Sequence, residues 1–320
     1  MKMLTIGKLR GLQKCTSLRG TFTCLALDHR QNLRKALNPA NPAYVSDADL
    51  SRFKLEVTTA LADLGTAVLL DPEFSAAQAV AACAVPKHTG LVVAVESTGY
   101  TGNPNARYAQ ILPGWSVEKA KRMGADAIKL LVYYHPDSST AGEIEAFVKQ
   151  VANDCRKYDL AIMLEPLSYP LDPATKELAS DEKRYVVTET ARRLTPLGVD
   201  VLKAEFPFDA TDPDEAQWAA ACAEITAVSV TPWILLSAAV AFETFVRQMT
   251  VACKAGASGI AVGRAVWQEA VGMDGDSRFD FLRTTGRERL ARLTALCSEI
   301  GKPISGYLTA EVPFDWYQKY

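Results

Sequence analysis

Along the chain one pattern recurs: a short aliphatic or β-branched run, a polar stretch, then an amphipathic segment of helical period, often closing on glycine. Eight runs read as strands: Phe22–Asp28, Ala67–Glu73, Leu91–Thr98, Ala127–Tyr134, Ala161–Leu167, Val201–Phe206, Trp233–Ala238 and Gly259–Val262. Their near-continuous apolar character is what a parallel sheet covered on both faces requires, because no strand face is left to water. The spacing leaves room for a helix after every strand. Gly65, Gly124, Gly198 and Gly256 stand just before four of the runs, where glycine supplies the left-handed cap that ends a helix. The alternation predicts a single (β/α)8 TIM barrel across residues 1–320, with an N-terminal extension over 1–20 and an aperiodic tail over 302–320. No G-x-G-x-x-G spacing follows the first run, which argues against a dinucleotide-binding sheet.

In such a barrel, alternate side chains point inward, and those at the C-terminal strand ends line the site. Lys129 shares a strand face with Leu131, Glu165 with Met163, and Lys203 with Glu205. Burying an ammonium lowers its pKa, and a second cation nearby lowers it again, so Lys129 is expected to keep Lys203 neutral and nucleophilic. The alternative reading of either lysine is an ion pair with a strand-end carboxylate. Both lysines close the same motif, G-x-D-x-x-K, at Gly124–Lys129 and Gly198–Lys203, which favours function over chance burial. Glu165 is either a partner of Lys129 or a proton shuttle; Glu73 and Glu96 read first as lysine partners or caps.

Ser237, followed by Ala238 and Ala239, ends the seventh run, and Gly263-Arg264 ends the eighth. Loops at these two positions of a barrel commonly hold phosphate, with backbone N–H groups and one cation. The chain carries a net charge of −2, so an anionic substrate must be met by a few placed cations, and no basic face for nucleic acid is implied. Seven scattered cysteines lack metal-finger or redox-pair spacing and fit a reducing compartment; with no signal-like apolar stretch, the expected location is the cytoplasm. No apolar run approaches the ~18 residues that a membrane span needs. His29, His88 and His135 have no metal-ligand spacing. Three functions remain: a lysine-imine aldolase, a magnesium lyase or isomerase using Asp71, Glu73, Glu96 and Glu165, and a non-catalytic sugar-phosphate binder.

The stretches LALDHRQNLRKAL, VLLDPEFS, GADAIKLLVYYHP, MLEPLSYPLDP, GVDVLKAEFP and WILLSAAVAFETFVRQMTVACKAGASGIAVGRAVWQ resemble the tagatose 1,6-bisphosphate aldolase family and its relative, sulfofructose phosphate aldolase. The likeness runs in order from about Thr21 to Trp267. It implies a barrel that forms an imine with its substrate and uses no metal or other cofactor. The imine-forming lysine falls on Lys203, the second lysine on Lys129 and the acid/base glutamate on Glu165. The strand-one D-Q-R motif falls on Asp28 and Arg30, with His29 where the family has glutamine. The serine falls on Ser237 and the glycine-arginine pair on Gly263 and Arg264. The implied substrate is a phosphorylated ketose: tagatose 1,6-bisphosphate, giving dihydroxyacetone phosphate and glyceraldehyde 3-phosphate, or sulfofructose 1-phosphate, giving dihydroxyacetone phosphate and sulfolactaldehyde. A homo-oligomer is also implied.

Overall fold

A computed structural model describes residues 1–209 and 214–320. The eight runs are strands: β1 (Phe22–Ala26), β2 (Ala67–Leu70), β3 (Gly90–Ala94), β4 (Ala127–Tyr133), β5 (Ala161–Leu167), β6 (Val201–Ala204), β7 (Trp233–Leu236) and β8 (Gly259–Val262). They lie side by side in chain order, parallel throughout, and β8 pairs back onto β1 to close a barrel. This is a (β/α)8 fold.

Alternation explains the two layers of core. Cys24, Leu69, Val92, Ala127, Met163, Val201, Ile234 and Ala261 form one buried cluster inside the barrel. Their neighbours Leu25, Val68, Val93, Ile128, Leu164, Leu202, Leu235 and Ile260 join the larger cluster between strands and helices. Each large aliphatic side chain buried in this way contributes about 1.5–3 kcal/mol. The inner layer is nearly all apolar up to the third residue of β4, Lys129, and the fifth of β5, Glu165.

Several strands stop short of the apolar runs that predict them. β2 ends at Leu70 because Asp71 Oδ1 accepts the N–H of Glu73 (3.0 Å) and Phe74 (2.7 Å), turning the chain away from the ladder. β1, β3, β6 and β7 likewise end at Ala26, Ala94, Ala204 and Leu236, with Asp28, Glu96 and Ser237 just beyond β1, β3 and β7, and Lys203 next to last in β6. Three of the four expected glycine caps are left-handed: Gly124, Gly198 and Gly256 have φ of 98°, 103° and 111°. Gly65 differs. It is needed for close approach, since a Cβ there would lie 3.0 Å from the carbonyl oxygen of Thr23.

The aspartates of the two G-x-D-x-x-K motifs act as register pins. Asp126 Oδ2 accepts the N–H of Leu91 on β3 (2.8 Å), and Asp200 Oδ2 accepts the N–H of Ile162 on β5 (3.0 Å). Each pin fixes its strand against a neighbour three residues before the lysine, so the lysine emerges at the opposite end. A one-residue slip would turn it into the helix layer.

The barrel floor is closed by the extension and the tail together. Leu4, Leu12 and Cys15 join the inner cluster. The helix Ile6–Lys14 presses so close that a Cβ on Gly11 would lie 2.1 Å from the Asp126 carbonyl oxygen. The short strand Lys2–Met3 pairs in parallel with Leu308–Thr309. Gly7 N–H donates to the Tyr320 hydroxyl at 3.0 Å. The tail therefore lies at the end away from the strand tips that carry the charged residues. No helix among the described residues is long and apolar enough to cross a membrane.

Candidate active site

A cavity of 320 Å3 opens at the C-terminal strand ends. Every residue that the family resemblance nominates lines it: Asp28, Arg30, Lys129, Glu165, Lys203, Ser237, Gly263 and Arg264. At its base lies a buried ionic array. Lys129, with a side chain 1% exposed, places Nζ 2.7 Å from Asp28 Oδ2, 2.7 Å from Glu96 Oε1 and 3.0 Å from Glu165 Oε2. Lys203 Nζ stands 2.8 Å from the same Glu165 oxygen. Two ammonium groups thus share three carboxylates, and Glu165 bridges both.

The electrostatics follow from that count. Burial alone would lower the Lys129 pKa, but Asp28, Glu165 and Glu96 together raise it well above the usual lysine value. Lys129 is a permanent cation. Burial pushes the Glu165 and Asp28 carboxyls up, and the two ammonium groups, Lys129 first, reverse this and hold both below the usual range. The charge of Lys129 is thus compensated by three acids, and the carboxylate nearest Lys203 is Glu165.

The surrounding contacts fix the array. Leu131 N–H donates to Glu96 Oε2 at 3.1 Å, leaving Oε1 for Lys129. Arg30 is buried and donates from its two terminal nitrogens to Glu73 Oε2 (2.6 Å) and the Glu96 carbonyl (2.7 Å). The four acids of the magnesium reading do not converge. Asp71 turns to Lys54 and accepts from Ser75 Oγ (2.7 Å), Glu73 holds Arg30, and Glu96 and Glu165 hold Lys129. An ammonium sits at the centre where such a site would need a shared metal.

At the β7/β8 corner, Gly263 N–H donates to Ser237 Oγ at 3.3 Å. Only glycine fits at 263, because a Cβ would lie 2.8 Å from the Ala26 carbonyl oxygen. Ala238 and Ala239, at φ 43° and 62°, are held in left-handed backbone that costs about 1–2 kcal/mol per alanine. The half-buried Arg264 guanidinium makes no hydrogen bond or ion pair among the described residues. An unpaired, partly desolvated cation beside small residues is a ready receptor for an oxyanion.

His29 packs edge-on against Trp267, ring centroids 5.5 Å apart, and its buried Nδ1 has no hydrogen-bond partner among the described residues. Burial pushes its pKa down to about 4; Asp28 opposes this, while Arg264 and Lys203 add to it. The imidazole is neutral at neutral pH. It separates the cavity from a side chamber of 90 Å3 that Arg264 and Trp267 also line.

Two features escaped the sequence reading. Glu205, on the face of Lys203, is a buried wall residue: burial raises its pKa, and it accepts the Ser168 N–H at 2.6 Å. Strand parity placed it there without giving it a role. The second is a hairpin after β3, Thr101–Asn103 paired with Ala106–Tyr108, beside the mouth. Its turn residues, Asn103-Pro104-Asn105, were the available signal.

The fold and its mouth define a (β/α)8-barrel protein built to place lysines among acids in a substrate-sized cavity. Residues 22–269 match the DeoC/LacD family aldolase model, and the chain belongs to that family. It is an aldolase, a lyase of carbohydrate metabolism. It is similar to the tagatose 1,6-diphosphate aldolase of Listeria monocytogenes serotype 4a (strain HCC23), 32% identical over 327 residues covering 95% of each chain. In fold it is similar to a Schiff base-forming fructose-1,6-bisphosphate aldolase, with a TM-score of 0.59 at 20% identity over 91% of this chain and 99% of that one. The fructose-bisphosphate aldolase of Plasmodium falciparum shares the fold at a TM-score of 0.73 and 12% identity, over 94% and 98% of the two chains.

Proposed function

We propose that the chain is a class I aldolase that cleaves a ketose 1,6-bisphosphate, tagatose 1,6-bisphosphate first, through an imine on Lys203. The observation that carries this reading is the position of Lys203 Nζ, buried at the cavity base and 2.8 Å from an ionised Glu165. The name of the Listeria relative supports the choice of sugar.

Lys203 passes a proton to Glu165 and attacks the C2 ketone. Glu165 returns the proton to the carbinolamine hydroxyl, which leaves as water, and the protonated imine remains. Glu165, directly or through water, takes the C4 hydroxyl proton. The C3–C4 bond breaks, its electron pair moves into the imine as an enamine, and glyceraldehyde 3-phosphate departs. The enamine is reprotonated at carbon, and water hydrolyses the imine to release dihydroxyacetone phosphate and the free lysine. Lys129 keeps Glu165 and Asp28 ionised between steps and steadies developing negative charge. Asp28 holds a substrate hydroxyl. Ser237, Gly263 and Arg264 receive the C1 phosphate. Arg30, already bonded to Glu73 and Glu96, anchors the acid that positions Lys129.

Borohydride reduction with dihydroxyacetone phosphate in the presence of chelator tests the reading, with peptide mass mapping as the readout. A stable adduct on Lys203 is expected. Chelator-sensitive turnover without an adduct would replace the mechanism by a metal-dependent one; binding without turnover would make the barrel a receptor. The same reading carries a homo-oligomeric state, checked by light scattering.

A further inference from the structure

Arg107 is a charged group packed behind the cavity-wall residue Tyr133, and the mechanism leaves it unused. It stands on the second strand of the β3 hairpin. Its guanidinium carbon lies 4.4 Å from the ring centroids of Tyr100 and Tyr169 and 5.2 Å from that of Tyr133. Nε donates to the Pro104 carbonyl at 2.8 Å, and among the described residues no carboxylate meets the terminal nitrogens. The rings are themselves held: Tyr169 donates to Ser138 Oγ at 2.9 Å, and Tyr100 and Tyr133 pack edge-to-face at 5.1 Å. Aromatic faces orient a guanidinium and stabilise it without neutralising it, so its N–H edges stay available to an oxyanion.

The box touches the cavity. Tyr133 ends β4 and lines the wall, as do Thr98 and Gly99 where the hairpin begins. Around the ring of eight strands, β4 lies four places from β8, which carries Arg264. One guanidinium without an acid partner, Arg264, therefore lines the mouth, and another, Arg107, stands behind Tyr133 on the opposite side, with Lys203 on β6 between the two strands. Arg30, the other arginine on the cavity wall, already has both terminal nitrogens bonded.

We propose that Arg107, held by Tyr100, Tyr133 and Tyr169, receives a tetrahedral oxyanion, phosphate or sulfonate, on the far carbon of the ketose and so selects substrates charged at both ends. The inference rests on the proposed ketose reading, which supplies the molecule that spans the mouth.

Binding of hexitol phosphates tests it, because a polyol has no carbonyl and cannot form an imine. Hexitol 1,6-bisphosphate, the 6-sulfonate 1-phosphate and hexitol 1-phosphate are titrated calorimetrically into the wild-type protein and Arg107→Met. The variant is expected to weaken the doubly charged ligands about 10- to 100-fold, the range of a charge-assisted contact. Hexitol 1-phosphate should change by less than about twofold, which also reports that the variant is folded, and Arg107→Lys should recover part of the loss. A loss confined to the bisphosphate or to the sulfonate identifies the anion. Equal weakening of all three ligands, or of none, overturns the subsite. Failure of borohydride trapping on Lys203 would sink the aldolase mechanism separately and leave this binding result standing.

Discussion

The barrel buries lysines against acids at both ends, and the two ends differ. At the floor, Lys2 and Lys8 converge on a single aspartate, Asp200, at 2.7 and 2.8 Å, away from the 320 Å3 cavity. At the mouth, Lys129 and Lys203 meet Asp28, Glu96 and Glu165 around a cavity of 320 Å3. The floor pair has one acid, already pinned by the Ile162 N–H. The mouth has acid to spare and an open side. One ionic vocabulary thus serves as a fastener where packing is complete and as a reagent where a substrate can reach it.

Breaking each end should give opposite results. Lys203→Ala is expected to drop cleavage to background while leaving phosphate-ligand affinity within about tenfold, roughly 1.4 kcal/mol. Steady-state rates and a phosphate titration check this, and retained turnover would exclude the imine. Asp200→Ala should instead lower stability by about 3–5 kcal/mol, because it strands the buried Lys8 ammonium and the half-buried Lys2. Its kcat per folded molecule should stay unchanged. Urea unfolding with parallel assays decides; a fall in kcat without loss of stability would erase the contrast between the two ends.

Lys129→Met sharpens the electrostatic side. In the folded protein Asp28 and Glu165 have lowered pKa values, so their stabilisation is complete above the unfolded carboxylate values and fades as pH falls through the folded ones. Without the central ammonium, burial dominates and both folded values rise. The acidic limb of kcat/KM should then move toward neutral pH. An unmoved limb would show that Lys129 does not set the acids. The smallest effect is expected for Arg264→Ala: KM for the phosphorylated substrate up about tenfold or more, kcat within a few fold. An unchanged KM would remove Arg264 from the phosphate site.

The strands and the two lysines were legible because both signals are local. Apolar runs of strand length carry the sheet, and a lysine inside such a run must find a partner or a function. Parity put Lys129, Glu165 and Lys203 on inward faces, where they lie. Which acid meets which lysine was not legible, since Asp28, Glu73, Glu96 and Glu165 all lie at the same end and only barrel closure separates them. Arg30 shows this: the resemblance places it in the strand-one motif, and only the closed barrel brings its two terminal nitrogens to Glu73 and the Glu96 carbonyl. The hairpin holding Arg107 was hidden by an apolar run read four residues too long, to Thr98 instead of Ala94. The tail has no period at all, and its place under the barrel comes from pairing with a two-residue strand some three hundred residues away.

The plug formed by Ile6–Lys14 has a consequence for traffic through the molecule. With one end stoppered, the barrel is a blind alley, and both cleavage products must retrace the route by which the sugar entered. On the proposed imine mechanism the fragment tethered to Lys203 waits for hydrolysis, so the free aldehyde goes first. Departure follows release from the lysine.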